Sequence, residues 1–94
     1  MENERTAPVL DWKYEKGRIS CVDGEGSLIA EATYLVLSGN KADIDHTYVS
    51  PAYRGLGIAG RLMEAVCAAL EKDGLAVTAT CPYAAEWLEK RGGR

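Results

Sequence analysis

A short glycine-containing segment near the middle of the chain has the residue types needed to hold a diphosphate. In order, it consists of Arg54, Gly55, Leu56, Gly57, Ile58 and Ala59. A diphosphate needs several backbone N–H groups at close range, and glycine allows that approach, while the positive end of a helix dipole adds attraction. Arg54 offers a side-chain donor, and Ala59 is small enough for a ligand to lie against a first helical turn. The segment therefore predicts an anion-binding loop.

Two further side chains are candidates for reactive roles. Cys81 directly precedes Pro82, which is a typical first residue of a helix. A thiol at a helix N-terminus has a stabilised thiolate and a lowered pKa, although cysteine is also often a small buried hydrophobe. His46 is the only histidine and could act as a base near neutral pH, or could serve as a structural side chain beneath the loop. Cys21 and Cys67 lie in predicted core positions.

The first half of the chain predicts an antiparallel three-stranded meander. Its strands are expected at residues 18–22, 27–37 and 41–49, with turns at Asp23-Gly24-Glu25-Gly26 and Ser38-Gly39-Asn40 between them. Simple alternation along the third strand places Asp43 and Asp45 on one face, and Ile44, His46 and Tyr48 on the other.

The second half changes to a helical period. Apolar residues recur at helical spacing from Gly57 to Asp73, and Gly74 is expected to end that helix. The uncharged segment 75–80 predicts a short strand buried on both faces, and Pro82 begins a second helix that runs to Lys90. Because a strand–helix–strand crossover is right-handed, the two strands that flank the first helix should run parallel. The expected fold class is α+β.

Two well-known nucleotide-binding patterns, the dinucleotide fingerprint and the Walker A loop, do not account for this segment. The stretch from Gly55 to Gly60 matches G-x-G-x-x-G, yet residues 77–80 contain no acid to bind a ribose, and the preceding strands form a meander. A Walker A loop would need Gly-Lys-Ser or Gly-Lys-Thr, which does not follow.

The pattern Arg54-x-x-Gly57-x-Ala59 is similar to the R/Q-x-x-G-x-G/A motif of GNAT acetyltransferases. The flanking segments His46 to Pro51 and Thr80 to Tyr83 resemble a small cysteine-bearing GNAT subgroup called YjdJ-type. The resemblance covers roughly residues 17–90, nearly the whole chain. It implies a GNAT-like fold, an acetyl-CoA cofactor and transfer of an acetyl group to an amine.

The resemblance also implies roles for particular residues. The strand before the loop would splay from its parallel neighbour, so that backbone around Tyr48 and Val49 holds the pantetheine arm. The N–H groups from Gly55 to Ala59 would hold the pyrophosphate. Cys81 stands where ordinary members have asparagine, and Leu88 where they have the tyrosine that protonates the leaving coenzyme A. Cys81 would either accept the acetyl group covalently or assist the leaving thiolate during direct attack by the amine.

The acceptor and the assembly are less determined. The acceptor is expected to be an amine of a small molecule, a peptide or a protein, and exposed strand edges make a homodimer possible. The alternative is a non-catalytic module that binds coenzyme A or acyl-CoA. The lack of a signal peptide pattern and the reduced cysteines favour the cytoplasm.

Composition excludes several classes. Ninety-four residues with 47% hydrophobic and 27% charged side chains indicate a single small domain, 1–94, with residues 1–11 as a loose lead-in. A net charge of −3 argues against nucleic-acid binding, and no apolar run is long enough to span a membrane. Three cysteines without a C-x-x-C pair suggest neither disulfides nor a metal site.

Overall fold

The computed structural model describes residues 9–93, which form one five-stranded sheet and two α-helices. The elements in chain order are β1 (Asp11–Glu15), β2 (Arg18–Val22), β3 (Leu28–Leu37), β4 (Lys41–Val49), a 3-10 turn (Pro51–Tyr53), α1 (Ile58–Lys72), β5 (Ala76–Ala79) and α2 (Pro82–Gly93). The strands lie side by side in that same order. The expected α+β class, with a meander followed by a strand–helix–strand unit and a final helix, is confirmed.

The meander has four strands rather than three. β1 pairs antiparallel with β2 from Asp11↔Val22 to Glu15↔Arg18, so an edge strand begins at the last residue of the predicted lead-in. A strand signal is present in the sequence, since polar and aromatic residues alternate strictly from Asp11 to Glu15, although only Trp12 among them is half-buried in the structure. Residues 1–8 of the predicted lead-in lie outside the described residues.

A β-bulge in β4 changes which side chains face the core. Thr33 pairs with His46, but the next residue, Tyr34, pairs with Ile44, which leaves Asp45 as the extra residue of β4. A bulge of this kind shifts the alternation of side chains along the strand. Ile44 is fully buried and His46 is exposed, so the expectation that they share a face is wrong.

α1 forms the core against one face of the sheet. Its apolar stripe of Ile58, Leu62, Met63, Val66, Cys67 and Leu70 is buried. The strands contribute Ile19, Cys21, Ile29, Ala30, Ala32, Ala42 and Ile44 to the same cluster. Gly74 has a φ of +80° directly after the helix, as predicted from its place at the end of the periodic stretch.

α2 packs beside α1 on the same side of the sheet. Ala84 of α2 is fully buried in the shared core, and Arg91 near its end contacts Glu71 of α1 at 3.3 Å. Both helices therefore cover one face, which we call the helix face. Among residues 9–93, no helix covers the other face, which we call the open face.

β5 is a half-covered edge strand, not the doubly buried strand that its apolar sequence predicts. It runs parallel to β4, with Lys41↔Ala76 through Ile44↔Ala79, and its residues alternate between exposed and half-buried. The open face exposes Thr78 and Thr80, whose hydroxyls donate to the two carboxylate oxygens of Asp43 at 3.0 and 2.7 Å. An uncharged short strand can therefore lie at a sheet edge when its hydroxyls have a partner.

Candidate functional site

The predicted anion-binding loop joins β4 to α1 by two left-handed glycines. Gly55 and Gly57 have φ values of +83° and +77°, a conformation that residues with a side chain rarely adopt. Among the described residues, nothing lies within 4 Å of where a Cβ at either position would be. The loop backbone is therefore open to a ligand.

The start of α1 has no internal partner for its N–H groups. Gly57 is the N-cap residue and has no side chain that could accept from these N–H groups. All residues of the first turn are described, and none of them is acidic. Unsatisfied N–H groups and the helix dipole together make a site for an anion. The arrangement thus fits a phosphate group of a ligand.

Arg54 is held in place beside the loop. Its Nε donates to the carbonyl of Val49, the last residue of β4, at 3.2 Å. A guanidinium has five N–H donors, so this bond leaves others for an anion. Arg54 lines a cleft of about 350 Å³. The other lining residues are Val49, Tyr53, Gly55, Gly57, Ile58, Ala59, Gly60 and Tyr83. The side chain of Leu56 is exposed and does not line it.

A gap opens between β4 and β5 beside this cleft. Their parallel pairing ends at Ile44↔Ala79, whereas β4 continues to Val49. Where the two strands diverge, the N–H groups of Thr80 and Cys81 both donate to the carbonyl of Ile44, each at 3.1 Å. The backbone edge of residues 45–49 thus faces a gap instead of a neighbouring strand, and an extended ligand could pair with it.

Cys81 lies at the closed end of the gap and caps α2. Its side chain is 9% exposed, and its carbonyl accepts from Ala85 N–H at 2.9 Å, as the N-cap residue of a helix does. The Sγ lies 3.4 Å from Oγ1 of Thr47 in β4. The thiol therefore stands between the splayed strand and the start of a helix.

Hydrogen bonds favour the thiolate form of Cys81. Burial alone would raise the pKa of the thiol, but the Thr47 hydroxyl and the backbone N–H groups of Ala84, Tyr83 and Thr47 outweigh it, so the pKa lies below its usual value. The other two cysteines differ. Burial raises the pKa of Cys21 and of Cys67, which are at most 1% exposed in the core.

His46 lies on the open face, away from Cys81. Its Nε2 is 3.5 Å from Oε2 of Glu31, and the other carboxylate oxygen of Glu31, Oε1, accepts from Arg18 Nε at 2.7 Å. The bulge at Asp45 causes this placement, and Thr33 Oγ1 donates to the Asp45 carboxylate at 2.6 Å beside it. The neighbouring Tyr48 pairs with Glu31 on the same face. The structure thus places Val49 beside the loop and Cys81 against Thr47 of the same strand, but it leaves His46 on the other side of the sheet.

Three further residues belong to this region, and only Thr47 has no individual role in the interpretation of the sequence, since Tyr53 begins the predicted loop and Tyr83 ends the flanking segment 80–83. Thr47 contacts Cys81, while Tyr53 and Tyr83 line the cleft. The sequence carries no clear signal for Thr47, because residues 45–47 are all polar and alternation alone does not show which of them a bulge displaces. Among the described residues, no helix is long and apolar enough to cross a membrane, and no cluster of His, Cys, Asp and Glu could hold a metal ion.

Comparisons with known proteins agree with this geometry. The family model described as GCN5-related N-acetyl-transferase matches residues 18–92. The solution structure of a GCN5-like protein from Staphylococcus aureus is similar with a TM-score of 0.69 and 31% identity, over 89% of this chain and 82% of that one.

Two more distant structures share the fold alone. An acetyltransferase of the GNAT family from Staphylococcus aureus MU50 matches with a TM-score of 0.66 and 14% identity, over 81% of this chain and 51% of that one. A ribosomal-protein-alanine N-acetyltransferase from Brucella melitensis matches with a TM-score of 0.55 and 21% identity, over 82% and 64% of the two chains. This chain thus spans about half to two thirds of their lengths.

No curated protein sequence matches the chain closely enough to count as a relative. The family match spans most of the chain, and the overall fold is similar to that of the solved structures. The chain belongs to the GCN5-related N-acetyltransferase family, whose members are acetyl-transferring enzymes.

Proposed function

We propose that this chain is an acetyl-CoA-dependent N-acetyltransferase with Cys81 at its reacting centre, in the cysteine-bearing YjdJ-type subgroup. One observation carries the proposal. The cleft at the uncapped start of α1 reaches Val49 and Tyr83, and two residues earlier in the sequence in each case, Thr47 and Cys81 are in contact beside the β4–β5 gap. Pyrophosphate would lie on the N–H groups from Gly55 to Ala59, beside Arg54. The pantetheine arm would pair with the β4 edge around Val49, and the thioester would reach Cys81.

The proposed chemistry of Cys81 follows from the lowered pKa of its thiol. In the proposed first step the Sγ attacks the acetyl carbonyl carbon, a sulfur–carbon bond forms, and the bond to the coenzyme A sulfur breaks. Coenzyme A leaves as a thiolate. The amine then attacks the Cys81 thioester and loses a proton, and the Cys81 thiolate is regenerated. The alternative is direct attack by the amine, with Cys81 protonating the leaving sulfur.

His46 is the proposed base for the amine. His46 lies two residues after Ile44, the last residue of β4 that pairs with β5. An amine that enters the gap from the open face would therefore pass the imidazole. The Glu31 carboxylate at 3.5 Å would orient the imidazole.

The amine acceptor, whether small molecule or peptide, the homodimer and the cytoplasmic location stay predictions from the sequence.

Release of free coenzyme A tests the proposed activity. The protein should release coenzyme A thiol from acetyl-CoA faster when a primary amine, supplied as a small polyamine or as a lysine-containing peptide, is present. A mass spectrum of the acceptor should show one added acetyl group. Tight binding of coenzyme A without acetylation of any amine tested would instead favour the non-catalytic module.

A further inference from the structure

We infer that Thr47 is the positioning residue for the Cys81 thiolate: its hydroxyl donates a hydrogen bond to Sγ across the gap where β4 and β5 part. The inference rests on the proposed role of Cys81. It adds a residue that the loop motif and the family match do not assign.

The register of β4 brings Thr47 to the helix face. Without the bulge at Asp45, alternation from the buried Ile44 would place residue 47 on the open face and residue 46 toward the core. With the bulge, Thr47 pairs with the fully buried Ala32, whose side chain is on the helix face. Only this register directs the hydroxyl to Cys81.

The direction of the hydrogen bond depends on the protonation state of the thiol. A neutral pair could donate either way across the 3.4 Å between Oγ1 and Sγ. A thiolate has no proton to give, so Thr47 must then be the donor. A hydrogen bond to the charged form stabilises that form, and the effect of Thr47 on the Cys81 pKa is in this direction.

Charged side chains do not explain the lowered pKa of Cys81. The titratable groups of β4 nearest in sequence, Asp45 and His46, lie on the open face with Thr33 and Glu31. On α2, Tyr83 is 40% exposed and lines the cleft, and its contribution to the Cys81 pKa comes from its backbone N–H. On α1, Cys67 has a raised pKa and stays neutral. Among the described residues, the lowered pKa of Cys81 therefore comes from neutral hydrogen-bond donors. The Thr47 hydroxyl is the side-chain donor among them, and the others are backbone N–H groups.

The test compares Thr47→Ser with Thr47→Ala, two variants that differ by one hydroxyl. The rate of alkylation of Cys81 by iodoacetamide, followed by peptide mass mapping across pH, reports the thiolate fraction. We expect the serine variant to keep the wild-type midpoint and the alanine variant to shift it upward by about one pH unit. Cys21 and Cys67 serve as internal controls because their burial should keep them slow to react.

The outcomes separate this inference from the proposed function. An alanine variant with the wild-type midpoint, or a serine variant displaced as far as alanine, would overturn the role of Thr47. Circular dichroism of each variant shows whether the fold is intact, and the serine variant, which keeps the hydroxyl, gives the decisive comparison if alanine lowers the melting temperature. If Cys81→Ala retains full transfer, the proposed function of the thiol fails, but the alkylation profiles still report on Thr47.

Discussion

Replacement of Cys81 by alanine is expected to lower acetyl transfer at least about 100-fold, because it removes the thiol that takes part in the reaction. The binding of coenzyme A should change little, since the loop and the β4 edge do not depend on that side chain. Activity is measured by coenzyme A release, and binding by calorimetry on the same preparations. A loss of activity with retained binding assigns Cys81 to the chemical step.

Cys21→Ala is the matched control for this experiment. Cys21 is also a buried thiol, yet it lies in β2 within the core and its pKa is raised by burial. Its replacement should cost some stability and leave transfer unchanged at temperatures where the protein is folded. Full transfer by Cys81→Ala with bound coenzyme A would remove Cys81 from the mechanism.

Gly57→Ala is expected to weaken coenzyme A binding by about tenfold or more. The left-handed φ of +77° costs an alanine about 1–2 kcal/mol, and the new Cβ points into the open space where the pyrophosphate would lie. Equilibrium binding of coenzyme A is the measurement. Because nothing in the described protein lies within 4 Å of that Cβ, the folded state should survive.

Gly39→Ala separates strain from ligand contact. Gly39 lies at the β3–β4 turn with a φ of +79°, and the described residues likewise leave its added Cβ without a neighbour within 4 Å. Both variants should therefore lower the free energy of unfolding by a similar amount, as measured in urea. Equal coenzyme A affinities for the two variants would contradict the assignment of the loop.

The loop and its helix could be predicted from sequence because their signals are local. Glycine conformational freedom, the helical period after Ile58 and the stop at Gly74 each depend on neighbouring residues alone. Pro82 likewise marked the start of α2, and the N-cap position of Cys81 followed from it. These features are the ones that the structure reproduces most closely.

The surroundings of Cys81 could be predicted only in part, because they depend on register. A single extra residue, Asp45, moves His46 to the open face and Thr47 to the helix face. Strand alternation cannot reveal this without knowing the partner strand, since the bulge is defined by the pairing with Thr33. The coverage of β5 was misjudged for a similar reason: an apolar segment does not show whether a helix lies on each face of the sheet.

A crystal structure of this protein with bound coenzyme A tests the proposed site most directly. We expect diphosphate oxygens on the N–H groups between Gly55 and Ala59, pantetheine along the β4 edge at Val49, and the coenzyme A sulfur next to Sγ of Cys81. Coenzyme A bound with its diphosphate away from the start of α1, or with its sulfur remote from Cys81, would contradict it.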